Sequence, residues 1–225
     1  MNRQALIRFV SLALILLCGS VSLGESIVGD FSFSLREALP GSSREEVYNE
    51  LGLESGQVLS GRFFYETNSP EIPIDNTQLP EILPDAVAYR SPSNFIELLA
   101  DGNSIFREDD VPILTILAGS GVNGGAIADA FIVGGGGLGI DLGTELSFSL
   151  TDSEVPGRLI GMRELPSDPS QLDTSLPFDV TFRAVNLAAD NLSFSLSVVP
   201  ESSSAWPMIA GLLLLTLIRP TRRKV

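Results

Sequence analysis

The chain has 225 residues, 28 acidic against 14 basic, a net charge of −14, and 44% apolar residues. It has no histidine, its only cysteine is Cys18 and its only lysine is Lys224. These absences exclude a Ser-His-Asp triad, a Ser-Lys dyad in the body of the chain, a histidine-bound metal and, away from the first 24 residues, any thiol chemistry or disulfide. Carboxylate chemistry and oxygen-liganded cations remain.

The chain opens with Arg3 and Arg8, an apolar run from Phe9 to Cys18, and a small polar exit, GSVSLGES. A cationic start, a short apolar core and small residues are the parts of a secretory signal peptide. Ser22 and Gly24 stand at −3 and −1 for cleavage between Gly24 and Glu25, with cleavage after Ser22 as the alternative. An uncleaved anchor is disfavoured by the shortness of the run, and Leu17 before Cys18 argues against a lipoprotein site. Residues 1–24 are therefore expected to be removed by signal peptidase after export.

The body, Glu25 to Glu201, is long enough for one domain with a core. It carries all 28 acids and eight arginines, a balance of −20. Such a surface repels nucleic acid and anionic lipid and favours cations or neutral polymers. Alternation at the two-residue period of a half-buried strand recurs at Phe31–Leu35, Leu146–Leu150, Phe178–Phe182 and Leu192–Val198. Further strands are expected at Val58–Tyr65, Ala86–Tyr89, Ile113–Ala118 and Ala126–Val133. SFSL occurs at 32–35, 147–150 and 193–196; unequal spacing makes it one strand pattern used three times, not a repeat. One helix is predicted over Ser43–Leu51, where Ser42/Ser43 followed by Glu45/Glu46 forms a capping box. Asn94–Leu99 reads as a short helix or a strand. Short strands separated by turn residues predict a mainly antiparallel β-sandwich over residues 25–198 with that one short helix.

Two stretches imitate functional motifs. Gly134–Gly139 follows a strand like a phosphate loop, but the residues after it read as strand rather than helix, which makes it a hairpin turn. Asp101, Asn103, Glu108 and Asp110 offer oxygens of the kind calcium takes, but without the spacing of a helix-loop-helix calcium site. The stretch 101–110 reads better as a solvated acidic loop, and no metal or cofactor is expected. Asn191-Leu-Ser193 matches a glycosylation sequon inside a predicted strand.

Residues 199–225 read VPESSSAWPMIAGLLLLTLIRPTRRKV. Trp206 marks one boundary of an apolar run ending at Ile218, and Arg219, Arg222, Arg223 and Lys224 follow it. An aromatic at one face and cations at the other predict a transmembrane helix over 206–218 with the basic tail 219–225 in the cytoplasm. As helix the run is about 20 Å long at ~1.5 Å per residue, short for a hydrocarbon core of ~30 Å. These features resemble the PEP-CTERM sorting signal, in which a Val-Pro-Glu-Pro motif precedes an apolar helix and an arginine-rich end. Val199, Pro200 and Glu201 match it, and Ser202 replaces the second proline. The resemblance implies recognition by an exosortase, a membrane-embedded cysteine transpeptidase. It further implies an inner-membrane-anchored precursor that passes to the cell envelope or an extracellular exopolysaccharide matrix. Within the body, Gly61-Arg-Phe-Phe-Tyr65-Glu-Thr resembles an early strand of some such ectodomains, and Leu165–Leu172 resembles the loop before their last strands.

The function expected is a non-catalytic surface or matrix protein delivered by its tail. A small secreted carbohydrate-binding protein, or a glycosidase using two carboxylates, is the alternative, and the scarcity of tyrosine and tryptophan platforms counts against both.

Overall fold

The computed structural model describes residues 25–73, 86–116, 129–135, 143–152 and 165–199. The predicted signal peptide and the tail from Pro200 onward lie outside these residues.

The described chain is mostly antiparallel β with one short helix. Twelve strands follow in order: β1 Ser26–Leu35, β2 Val58–Glu66, β3 Glu71–Ile72, β4 Ala86–Arg90, β5 Phe95–Ala100, β6 Asn103–Asp109, β7 Pro112–Ile116, β8 Asp129–Val133, β9 Leu146–Asp152, β10 Phe178–Phe182, β11 Val185–Asn186 and β12 Ala188–Val199. They form a five-stranded sheet, β12-β1-β2-β5-β6, and a seven-stranded sheet, β11-β10-β9-β8-β7-β4-β3. Helix α1, Ser43–Leu51, lies between β1 and β2 in the chain.

The predicted alternation shows in the burial. Ile27, Gly29, Phe31, Phe33 and Leu35 of β1 are buried, while Val28, Asp30, Ser32 and Ser34 between them are partly exposed. Strand β2 buries Leu59, Gly61, Phe63 and Tyr65 in the same way. One core joins these faces to Phe148 and Leu150 of β9 and to Phe178, Val180 and Phe182 of β10. Phe148 is the hub: its ring centre is 5.0 Å from Phe31, 5.1 Å from Phe63, 5.2 Å from Phe178 and 5.0 Å from Phe194. Rings at these separations add to what their buried area alone contributes.

Two glycines make room for this aromatic layer. In the β1–β2 register Gly29 faces Phe63, and Phe31 faces Gly61. A methyl group at Gly29 would stand 2.1 Å from the Phe63 ring, and one at Gly61 would stand 2.2 Å from the Phe31 ring. Each ring therefore lies on the bare backbone of the neighbouring strand, a close approach that glycine in a strand permits.

Strand β7 departs from alternation, with all five residues buried. Ile113 joins the shared core, while Leu114 and Ile116 join Ala88, Ala130 and Ile132 in a second apolar cluster on the other face of the seven-stranded sheet. Helix α1 forms as the capping pattern predicts, with Ser42 as N-cap accepting from the Glu45 backbone N–H. The Glu45 carboxylate reaches the Gly41 N–H at 2.6 Å, one residue before the position a capping box prescribes.

Two expectations are refined. Asn94–Leu99 forms strand β5 rather than a helix, beginning at Phe95. The solvated acidic loop expected at 101–110 is instead the second arm of a hairpin: Asp101 and Gly102, with φ of 52° and 78°, form the turn, and 103–109 pair with β5 as β6. The strands before and after the Gly-rich stretch, β8 and β9, pair antiparallel, while Gly136–Gly139 of the expected turn lie outside the described residues. Gly134 is required at its start, because a methyl group there would meet the Leu146 carbonyl at 2.2 Å.

The β10–β11 turn is made by Arg183 and Ala184, both at positive φ (47° and 63°). A two-residue turn of this kind favours glycine, and a side chain in the left-handed region costs about 1–2 kcal/mol. Arg183 is held there by Glu50 at 2.6 Å and Glu145 at 2.9 Å. Ala184→Gly is expected to raise stability by about 1 kcal/mol, read as a higher urea midpoint with unchanged slope.

Candidate functional site

The predicted sorting and processing residues flank the described chain at both ends, and the fold brings those ends together. Strands β1 and β12 pair antiparallel with Ser26 opposite Val199. Opposed residues of such a pair are about 5 Å apart, so the point where the chain enters the domain and the point where it leaves are neighbours. The end of β2 completes the same corner. Glu66 lies opposite Ser26, and the Glu25 carbonyl accepts from the Thr67 N–H at 2.9 Å and the Thr67 hydroxyl at 2.8 Å.

A buried polar hub anchors this corner. Asn94 is fully buried; its side-chain oxygen accepts from the Glu66 N–H at 3.2 Å and its amide donates to the Val111 carbonyl at 3.3 Å. The Ser91 hydroxyl donates to the Glu66 carboxylate at 2.8 Å. These contacts join β2 to the turns after β4 and β6. Thr67 and Asn94 carry no sequence signal for this role, because their partners are distant in the chain.

Of the predicted site residues, Glu25 is exposed beside the corner and Val199 ends β12. Gly24, Pro200, Glu201, Ser202, Arg219, Arg222, Arg223 and Lys224 lie outside the described residues. Among the described residues no helix is long and apolar enough to cross a membrane, and the span predicted at 206–218 falls outside them.

The four calcium candidates are spread along the β5–β6 hairpin. Asp101 sits at its tip and Asn103 at the start of β6. At the other end Asp110 pairs with Arg90 at 3.0 Å. The Glu108 carboxylate accepts from the backbone N–H groups of Glu145 and Leu146 at 3.0 and 3.1 Å. Among the described residues no three Asp, Glu, His or Cys side chains are grouped to hold a metal ion. Glu108 instead bridges the edge of the five-stranded sheet to the start of β9.

A cleft of about 360 Å³ lies beside the opposite end of β12, lined by Arg36, Phe178, Asp179, Ala188 and Asn191 among others. Arg36 donates from Nε to the Ala188 carbonyl at 2.9 Å, and Asp179 accepts from the Asn186 amide at 2.8 Å. Asp179 is the only carboxylate among its described lining residues, whereas retaining and inverting glycosidases use a pair.

Comparison with protein families, with curated proteins and with solved structures finds no match.

Burial is the largest influence on the Glu108 carboxyl and lifts its pKa above the ordinary 4.5, against the lowering pull of the Leu146 and Glu145 N–H groups. A carboxyl that binds its proton more tightly when folded favours folding below its ordinary pKa, and this contribution is lost as pH rises through the folded value. Stability should therefore fall with rising pH in the window above 4.5, and Glu108→Gln should remove that part of the slope. Urea midpoints from pH 4 to 7 for both proteins test this. Glu108→Ala, which strips the partner from two N–H groups, should cost about 1–3 kcal/mol.

Proposed function

We propose that this is a non-catalytic exported surface or extracellular-matrix protein, in which an acidic β-sandwich is carried out by a signal peptide and delivered by a PEP-CTERM-like tail to an exosortase-type transpeptidase. The observation that carries this reading is the pairing of Ser26 with Val199. Arg3 and Arg8 precede one apolar run, and Arg219, Arg222, Arg223 and Lys224 follow the other. Cations stay on the cytoplasmic side, so both runs would cross with their charged ends inside and the domain looped out between them. A domain whose ends emerged on opposite faces would resist that arrangement. One whose ends leave as adjacent strands accommodates it with no rearrangement.

The charge distribution is consistent with this topology. The domain's −20 balance keeps it off an anionic membrane surface, while the basic residues of the chain ends favour the cytoplasmic leaflet. After signal-peptide cleavage the tail alone would hold the precursor, and its short apolar run suits a temporary anchor. Pro200 and Glu201 would then sit at the outer face, within two residues of the last strand, where a membrane-embedded enzyme meets them.

Two substitutions separate anchoring from recognition. Replacing Arg222, Arg223 and Lys224 with Ser should weaken membrane retention. Replacing Pro200 and Glu201 with Ala should leave insertion intact and make the full-length form accumulate in the membrane. The readout is mass spectrometry of the mature C-terminus in an exosortase-bearing host. A wild-type protein recovered with Val225 intact would show that the tail is an anchor and not a processing signal.

A further inference from the structure

Among the described arginines, Arg62, Arg90, Arg107 and Arg183 each hold a carboxylate at 3.0 Å or less. Arg36 and Arg44 hold none among the described residues. Arg44 directs its Nε to the Asn186 carbonyl at 3.2 Å and its Nη1 to the Glu37 carbonyl at 3.0 Å. Arg36 commits only Nε, to the Ala188 carbonyl at 2.9 Å. Its two terminal nitrogens meet no described protein group, although the domain has acids in excess.

Arg36 is nevertheless fixed in place. Its backbone N–H donates to the Leu187 carbonyl at 2.8 Å, and its carbonyl accepts from the hydroxyl of buried Tyr48 at 2.8 Å. It lines the cleft of about 360 Å³ together with Asp179. Asp179 stands between buried Phe178 and Val180 on β10, and its Oδ1 accepts from the Asn186 amide at 2.8 Å. Opposite charges therefore share one cleft without forming an ion pair. Each is tied back to a different anchor, Arg36 to Ala188 and Asp179 to Asn186.

We propose that this cleft binds a free α-amino acid, with the Arg36 fork on its carboxylate and the second Asp179 oxygen on its ammonium group. The planar guanidinium matches a carboxylate in two parallel hydrogen bonds. Charge selects the ligand class. A net anion is repelled by the −20 domain and by Asp179, and a net cation is repelled by Arg36. A molecule with one charge of each sign is neutral overall and satisfies both groups. The volume lies at the small end of the ~300–1,000 Å³ typical of small-molecule sites, as a single small ligand requires. Pro177, Phe178, Ala188 and Ala189 supply apolar lining, which suits an apolar side chain. The site lies at the start of β12, away from Val199 and the tail, so it stands apart from the sorting role.

Calorimetric titration of the full-length chain in mild detergent tests this. The probes are L-alanine, L-valine, L-leucine, L-isoleucine, L-methionine and L-phenylalanine. At least one should bind with a Kd of about 1 mM or tighter. Its N-acetyl derivative, which keeps only the negative charge, and its amide, which keeps only the positive one, should each bind at least about tenfold more weakly. Arg36→Gln and Asp179→Asn should each weaken binding by about tenfold or more, whereas Arg62→Gln, remote from the cleft, should leave it unchanged. Urea midpoints establish that the variants are folded. Should Arg36→Gln fail to fold, Asp179→Asn decides alone, because it retains the oxygen that accepts from Asn186. No binding by any probe at about 10 mM overturns the proposal. So does an N-acetyl derivative or an amide that binds as tightly as its parent, or full affinity in a folded Arg36→Gln or Asp179→Asn protein. None of these results depends on whether the tail is processed.

Discussion

The interlock of Phe31 over Gly61 and Phe63 over Gly29 sets the inner surface of the five-stranded sheet. Each aromatic ring occupies the space a side chain on the next strand would otherwise fill, so the two rings settle low on the sheet. Phe148 of the facing sheet then packs on both. Phe178 and Phe194 close around Phe148, and the two sheets meet through these rings. Interiors this dense respond to a change of one methyl group, and here the tolerance is lower still, because the added atom would overlap ring carbons near 2 Å.

Much of this was legible in the sequence, and the reason is the pleat. SFSL at 32–35, 147–150 and 193–196 alternates large apolar and small polar residues, and all three copies lie in strands, β1, β9 and β12. The helix was legible through Ser42 and its acidic first turn. What escaped notice follows physical lines. Strand β6 reads as a loop because it is an edge strand carrying Arg107, Glu108 and Asp109. Its hairpin signal, Asp101-Gly102, is the type of dipeptide that positive φ selects. Strand β7 was expected at Ile113–Ala118 even though it shows no alternation; what the sequence did not reveal is that both of its faces are buried. The roles of Gly29 and Gly61 were hidden because pairing register, and hence which ring meets which glycine, is a tertiary property.

The candidate site divides in the same way. Its chemical parts, a small-residue exit, a Val-Pro-Glu motif and a basic end, are compositional and appear in the sequence alone. Their juxtaposition does not: nothing local places Ser26 beside Val199 across more than 170 residues. That contact results from β12 returning to β1 as the final strand of the sheet, which makes one strand both the exit toward the tail and the exposed edge. Glu108 illustrates the converse, a carboxylate that looks like a ligand in sequence and in the fold binds two backbone N–H groups.

The account rests most directly on the ring-over-glycine interlock, and a double-mutant cycle measures it. Gly61→Ala alone should destabilise the protein by about 1–3 kcal/mol through overpacking, and Phe31→Leu alone by a similar amount through lost packing. If the methyl group and the ring compete for one space, the double variant should be more stable than the sum of the single losses predicts, with a coupling of about 1 kcal/mol or more. Strict additivity of the two losses in urea denaturation would contradict the account.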